Sequence, residues 1–306
     1  MQKLVEQENA PRVNPLRAAP ALAVQFFLIP LAVVGMVVLV YGGFRMLVTT
    51  ERTPQELLVD VQSGGRERRW PAAYELSRML ADPQTEAQNP ELGAAIVQAF
   101  TDADGGDPRL RRYLALAIGR LAAPPINAVD ELRGALNDPD NETRISVIWA
   151  LASLGDVGVV ADIEAMYASD DAGVRKMAVY ALGTLPGSGD HGTLRNALDD
   201  PAADVQWNAA VALARHGRDD GITVLRRMLD REYVSRMVTR SAAAEAAIDP
   251  VSEVIVSGLQ AAATLGAAEL RPSVEALSES DANLRVREVA IKTLDVLNQS
   301  TRSRTG

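Results

Sequence analysis

The amino-acid sequence predicts an all-α fold, a right-handed α-solenoid of helical hairpins with one transmembrane helix near the N terminus. Three observations support this prediction. Hydrophobic residues make up 47% of the 306 residues and aromatic residues only 4%, and the dominant Ala, Leu and Val favour closely packed helices over a β-sandwich. A hydrophobic motif recurs seven times along the chain, and residues 18–44 contain no charged side chain.

The composition excludes several classes of function. The formal net charge of −9 argues against non-specific binding of nucleic acid, which relies on Lys and Arg to neutralise phosphates. The chain has no cysteine, and His191 and His216 are its only histidines, so we expect no metal site. It also lacks the motifs of nucleotide-binding loops, dinucleotide folds, nucleophile elbows and zinc proteases. We therefore expect no cofactor, no catalytic residue and no enzyme activity.

The uncharged run near the N terminus is long enough for a membrane helix. About 20 apolar residues span the hydrocarbon core of a bilayer, and Arg17 and Arg45 flank the run. We predict a polar tail at 1–17 and a transmembrane helix at 18–47.

A cleaved signal peptide is the alternative, but its apolar region has about 7–15 residues and ends at a small-residue cleavage site. Residues 41–45, Tyr-Gly-Gly-Phe-Arg, offer no such site, which favours an uncleaved anchor. Positive charges near the two ends of the span are almost balanced, so they do not determine its orientation. We expect the solenoid on the extracytoplasmic side, the commoner arrangement for a short N-terminal tail.

The recurring motif identifies one amphipathic helix in each repeat. Its clearest copy is Val174-Arg175, Ala178, Ala181-Leu182 and Leu185. The equivalent positions are Leu76, Ile118, Leu151, Leu182, Leu213, Ala262 and Leu294, which are 42, 33, 31, 31, 49 and 32 residues apart. Offsets of 0, 4, 8 and 11 residues fall within about 80° on a helix, so each copy buries one stripe.

Shorter amphipathic stretches lie between the motif helices and are set off by Asp-Pro pairs. Asp can cap the helix that follows, and Pro suits its first turn. Each unit of 31–33 residues is therefore a helical hairpin, and hairpins of this size bury their apolar faces only by stacking on their neighbours.

The Asp-Pro turn, the Val-Arg pair and the Ala-Leu-Gly motif at 181–183 resemble the HEAT-repeat family, in the short form called PBS-lyase HEAT-like repeats. The resemblance covers about residues 54–298, within a predicted repeat domain at 48–298, and implies an all-helical scaffold or an enzyme accessory. Two features depart from regular spacing, an insertion at 231–249 and a polar stretch at 84–90 that we interpret as a loop. Residues 299–306 are predicted to be disordered.

Three Asp–Arg pairs stand four residues apart, at the spacing where helical side chains meet. They are Asp107 and Arg111, Asp140 and Arg144, and Asp171 and Arg175. We interpret them as a structural ladder along the stack, with an anion-binding ladder as the alternative. The ladder is interrupted at Gln206 and Ile255 near the insertion, where we predict the weakest stacking.

Aromatic residues form the second candidate site. Tyr113, Trp149 and Tyr180 lie on one flank of their helices, beside the buried stripe, and Trp207 lies on the far side from it. Because Trp and Tyr are favoured as interface anchors, these four residues are predicted to bind a protein partner. Packing against the first helix of each hairpin is the alternative.

These features predict a membrane-anchored, non-catalytic scaffold that binds protein partners, themselves membrane-associated, through its repeat surface. One alternative, implied by the family resemblance, is an accessory of chromophore attachment that resembles bilin lyases. Another is an accessory subunit of a lipid system or a transporter.

Overall fold

The computed structural model describes residues 29–48, 52–186, 192–238 and 249–305, and all regular structure in these ranges is helical. The chain divides into two compact units, Met1–Thr53 and Pro54–Gly306.

The first unit contains helix α1 (Ile29–Val48). The side chains described in α1, at 31–43, are all exposed. Within the described residues, no helix combines the length and apolarity that crossing a membrane requires. The predicted membrane helix at 18–47 is therefore not supported here, and the predicted tail at 1–17 and residues 18–28 lie outside the described residues.

The second unit is a series of helices in which most consecutive helices pack against each other. Its helices are α2 (Pro54–Ser63), α3 (Arg66–Met79), α4 (Pro83–Ala87), α5 (Leu92–Asp102), α6 (Pro108–Ile118), α7 (Ala128–Gly134), α8 (Asn141–Leu154), α9 (Val160–Met166), α10 (Ala172–Leu182), α11 (Gly192–Asn196), α12 (Ala203–Arg215), α13 (Ile222–Met228), α14 (Arg231–Met237), α15 (Pro250–Leu265), α16 (Arg271–Ser280) and α17 (Leu284–Thr305). The seven motif helices are α3, α6, α8, α10, α12, α15 and α17, as the repeat pattern predicted.

Each motif helix packs against the motif helices before and after it, and most of the helices between them pack against a motif helix. This arrangement confirms an all-helical repeat array. It follows from the motif itself, because a stripe that is apolar on every repeat is buried only when successive hairpins stack.

The buried side chains form two clusters that meet on α12. One cluster extends from Leu57 to Leu213, and the other from Trp207 to Leu297. Within α12, Ala209 and Leu213 belong to the first cluster, whereas Ala210 and Ala214 belong to the second. Helix α12 is therefore buried on two faces.

Close approach of successive motif helices explains the small residues of the motif. A Cβ atom on Gly119 would lie 2.6 Å from the Cα of Ala150, and one on Gly183 would lie 2.5 Å from the Cβ of Ala212. Each Ala is the one that precedes the motif Leu of the next repeat. Glycine and alanine thus set the distance between these repeats.

Two segments, at 84–90 and 299–306, differ from their predictions, and the structure describes part of the insertion. The polar stretch at 84–90 is not wholly a loop, because Asp82 caps a short helix, α4, whose first residue is Pro83. The insertion at 231–249 contains helix α14, capped by Asp230, and residues 239–248 lie outside the described residues. The tail at 299–306, predicted to be disordered, continues α17 as far as Thr305, since neither Gly nor Pro interrupts it.

Candidate functional site

The Asp–Arg ladder exists, but its partners are not those predicted. Arg111 does not pair with Asp107; its Nη1 lies 3.0 Å from Asp138, at the turn that leads into the next motif helix, and it also contacts Asp104. Arg175 makes two hydrogen bonds with Asp200, at 2.8 and 3.0 Å. Arg111 and Arg175 therefore reach forward to the turn before the next motif helix.

The aspartates of the predicted pairs are occupied as helix caps. Asp107 accepts from the backbone N–H of Arg109, Asp140 from that of Thr143 and Asp171 from that of Val174, at 2.8–3.0 Å. A carboxylate that caps its own helix faces the N terminus of that helix, so the Arg one turn later turns towards another partner.

Two other residues complete the contacts of these caps. Arg112 binds Asp140 with two hydrogen bonds of 3.0 Å, across 28 residues of sequence. The amide of Asn141 donates to Asp171 at 2.8 Å and contacts Arg144 through its oxygen. In place of the predicted pair, Asp140 binds Arg112 of the preceding repeat, and Arg144 contacts Asn141 on its own helix.

Three turns share a carboxylate whose partner in another element the sequence did not predict. Asp138, Asp200 and Asp281 each accept from the backbone N–H two residues later, at 2.8–2.9 Å. Each also binds an arginine from an earlier element, namely Arg111, Arg175 and Arg231. The three side chains are nearly inaccessible, with 6, 2 and 1% of their surface exposed.

Arg231 supplies an arginine that the repeats themselves lack. In α15, Ile255 stands at the motif position that Arg175 occupies in α10, so α15 has no arginine there to bind the next turn. Arg231, on the inserted helix α14, binds Asp281 at 2.7 and 2.8 Å instead. The insertion thus restores the contact where the sequence predicted an interruption.

The contacts of Asp200 and Asp140 lower the pKa of both carboxyl groups. Burial raises the pKa of Asp200, but the Arg175 guanidinium and the backbone N–H of Ala202 outweigh burial and hold that pKa below its usual value. The hydrogen bond from Arg112 is the main reason that the pKa of Asp140 is lowered. Both carboxylates are therefore charged at neutral pH and serve structure, which favours the structural interpretation of the ladder.

The four aromatic residues predicted to bind a partner do not lie on one surface, because Tyr113 is apart from the other three. Tyr113 stacks on Trp70 with ring centroids 6.1 Å apart and meets Tyr74 edge-on at 5.1 Å. The guanidinium of Arg109 lies 5.0 Å from the centre of the Trp70 ring. This cluster on α3 and α6 is a packed contact between two repeats.

Trp149, Tyr180 and Trp207 line one groove of about 1040 Å³. They come from three successive motif helices, α8, α10 and α12, so the stacking of repeats brings them together. Further apolar walls are supplied by Met177, Val211, Met228, Met237, Val238 and Val254. We call this surface the aromatic groove.

Trp207 is more buried than its position in the helix predicted. Only 7% of its surface is exposed, and it belongs to the second core cluster. The expectation that it lies away from the core was wrong because α13 and α15 cover that face of α12. Trp207 is therefore a wall of the groove and part of the core at the same time.

The charges of the groove are unevenly compensated. Lys176 pairs with Asp204 at 3.1 Å, and Glu253 pairs with Arg285. The exposed guanidinium of Arg215 lies 5.8 Å from the centre of the Tyr180 ring, and no carboxylate of the described residues pairs with it. The described groove therefore retains one positive charge.

His216 does not line the groove. The Nε2 atom of His216 lies 2.9 Å from the carbonyl oxygen of Leu182, at the end of the preceding motif helix, and His191 lies outside the described residues. In the described ranges, no group of three or more His, Cys, Asp or Glu could hold a metal ion.

Part of the groove could have been found from the sequence. Trp207, Val211 and Arg215 stand at i, i+4 and i+8 and so share one face of α12. The contribution of Met228 and Met237 to the groove could not have been found in this way, because it depends on how α13 and α14 pack against α12.

Sequence comparison identifies the repeats. The profile of HEAT repeats matches residues 94–183 and 163–248, which together span 155 of the 306 residues. The chain belongs to the HEAT-repeat family. The matched HEAT repeats include α6, α8, α10 and α12, which carry two of the three forward Arg–Asp contacts and the three aromatic residues of the groove.

Solved structures similar to this HEAT-repeat chain are distant in sequence. A designed armadillo repeat protein in complex with the peptide (KR)4 is 17% identical, with 81% of this chain and 100% of that chain covered and a TM-score of 0.42. Human deoxyhypusine hydroxylase in complex with glycerol is 20% identical, with 80% and 97% covered and a TM-score of 0.34. No curated protein matches the sequence.

Proposed function

We propose that this chain is a non-catalytic scaffold that holds a protein partner in the aromatic groove. The observation that carries the proposal is the convergence of Trp149, Tyr180 and Trp207, from three repeats, on one surface. Large aromatic side chains in a recessed, partly desolvated patch are the usual anchors of protein interfaces. Repeat arrays offer extended surfaces of this kind without chemistry of their own.

The first experiment is native co-purification of the full-length protein from its own cells in mild detergent, followed by mass spectrometry. Replacing Trp149 and Tyr180 with Ala should reduce the recovered partner several-fold, since truncated interface anchors commonly cost more than 2 kcal/mol of binding energy. Tyr74→Ala is the matched control, because Tyr74 occupies the same motif position as Tyr180 but lies outside the groove. If the natural protein, the Trp149 and Tyr180 double variant and Tyr74→Ala all recover equal amounts of partner, the groove does not bind it.

We also propose that the chain is attached to a membrane through residues 18–47, with the repeats on the extracytoplasmic side. The support is the uncharged run at 18–44 with arginines at both ends. Full-length protein should stay in the membrane pellet after carbonate extraction, and replacing Val37 and Leu39 with Asp should release it. Val59→Asp, an equally exposed position on α2, is the control. Release of the unaltered protein would reject the anchor.

The absence of cysteine allows a direct test of orientation. Ser63→Cys creates the single thiol of the chain at an exposed position. If the repeats are extracytoplasmic, a membrane-impermeant maleimide should label this thiol in intact cells. Labelling only after lysis would place the repeats on the other side.

The size of the groove supports a second candidate, an accessory of chromophore attachment. A volume of about 1040 Å³ is at the upper end for small-molecule sites, and a bilin carries carboxylates that could meet Arg215. Purified full-length protein should then shift the absorption spectrum of biliverdin. An unchanged spectrum would remove this candidate.

A further inference from the structure

We propose that the segment held in the aromatic groove is acidic and partly apolar, and that it places a carboxylate against Arg215. This inference rests on the proposed scaffold function and adds the chemistry of the partner. The chain as a whole carries a net charge of −9, so its surface favours basic partners in general. The groove departs from that rule.

The charges within the groove decide its preference. Asp204 is neutralised by Lys176 at 3.1 Å, and Glu253 by Arg285. Arg215 has the ring of Tyr180 as its described contact, at 5.8 Å. A basic segment would meet this guanidinium with like charge. A wholly apolar segment would cover it without supplying an acceptor, and desolvating an unpaired charge is costly.

The walls define the rest of the partner. Trp149 and Tyr180 provide partly exposed rings above the largely buried Trp207, and Met177, Met228 and Met237 also line the groove. Methionine side chains are flexible and polarisable, so they adapt to apolar side chains of different shapes. The segment must therefore carry apolar residues as well as acid.

The order of residues on α12 sets a spacing. Arg215 follows Trp207 by eight residues, which is about 12 Å along a helix axis. An extended segment covers that distance in about four residues. The partner should therefore carry an Asp or Glu about four positions from a bulky apolar residue.

The test is a selection from a random 12-residue peptide display library on full-length protein in detergent micelles. Enriched peptides should be acidic and carry the apolar-to-acid spacing, and their affinity can be measured by fluorescence anisotropy. Arg215→Gln should weaken binding about tenfold or more, as expected for loss of a charge-assisted hydrogen bond. Arg68→Gln, an exposed arginine on α3 outside the groove, should leave affinity unchanged.

A charge reversal makes the test independent of any one peptide. Selection on an Arg215→Glu variant should enrich basic peptides instead of acidic ones. Circular dichroism should show that this variant has the same helical content as the natural protein. Enrichment of basic or neutral peptides by the natural protein would overturn the inference, and so would acidic peptides that bind Arg215→Gln equally well.

The two proposals fail separately. If no linear peptide is enriched, or if biliverdin occupies the groove, the inference of an acidic segment is wrong. If no linear peptide is enriched but partner recovery depends on Trp149 and Tyr180, the scaffold function still stands. If recovery is independent of both residues, the scaffold proposal is the one that fails.

Discussion

Single carboxylates determine how one repeat is joined to the next. Asp200 accepts the backbone N–H of Ala202 at 2.9 Å and the guanidinium of Arg175 at 2.8 Å, with 2% of its side chain exposed. The same side chain thus shapes its own turn and binds the preceding motif helix. Asp138 and Asp281 have the same two kinds of contact, so one residue type at one turn position explains three junctions.

Replacing Asp200 with Asn should destabilise the protein at pH 7 by about 2 kcal/mol or more, because Arg175 loses a buried charged partner. The folded-state pKa of Asp200 lies below its usual value. The stabilisation that the Asp200 carboxylate gives the folded protein is therefore complete above the unfolded-state pKa of about 3.9. It is lost as the pH falls through the lower folded-state pKa.

Asn takes up no proton in this range. The difference in free energy of unfolding between the natural protein and Asp200→Asn should therefore shrink as pH falls below about 4. Urea denaturation followed by circular dichroism at pH 7, 5, 4 and 3 measures it. A difference that is constant over this range would show that the charge of Asp200 contributes nothing to stability.

At the scale of the helix, close packing of α10 on α12 depends on one missing methyl group. A Cβ at Gly183 would lie 2.5 Å from the Cβ and 2.9 Å from the Cα of Ala212. The backbone at Gly183 has φ −75°, which any residue adopts, so the requirement for glycine is steric.

Gly183→Ala should therefore force α10 and α12 apart and lower stability by about 1–3 kcal/mol, the usual cost of overpacking. The matched control is Gly134→Ala at the end of α7, where an added Cβ meets nothing within 4 Å. That change should be neutral or stabilising by up to about 1 kcal/mol. Thermal denaturation distinguishes the two.

A compensating change tests the contact itself. Ala212→Gly removes the Cβ that the new methyl group would meet, so it should recover part of the stability that Gly183→Ala loses. Additive losses in the double variant would show that the two residues do not interact.

At the scale of the repeat array, the core consists of two clusters that meet on α12. The inserted helix α14 binds the C-terminal repeats through an ion pair. Residues from Trp207 to Leu297 form their own cluster, and Arg231 on α14 binds the buried carboxylate of Asp281. In repeat proteins, stability is close to a sum of local repeat and interface terms. The two parts should therefore respond separately to local damage.

Arg231→Ala leaves Asp281 buried without its guanidinium, which costs about 3 kcal/mol or more. Amide hydrogen exchange in α15, α16 and α17 should accelerate by roughly 100-fold, while α3, α6 and α8 keep their protection. Arg236→Ala is the control, because Arg236 lies on the same helix and its ion-pair partner among the described residues is the exposed Glu232. Equal acceleration throughout the repeats would show that the array unfolds as one unit.

Much of the fold could be predicted because helix periodicity is a local property. The stripe of Val174, Ala178, Leu182 and Leu185 repeats with nearly constant spacing, and it placed all seven motif helices. The candidate site was predicted only in part. Trp149 and Tyr180 were assigned together with Tyr113, but Tyr113 lies in a separate aromatic cluster with Trp70.

By itself, the sequence determined the helix type and the periodic apolar stripe of the motif helices. Only the tertiary structure decided which arginine meets which aspartate, and which aromatic residues share a groove. A buried stripe depends on the 3.6-residue turn of one helix. The partner of a long side chain such as Arg231, 50 residues from Asp281, depends on how separate helices are offset, and no spacing within one helix records that offset.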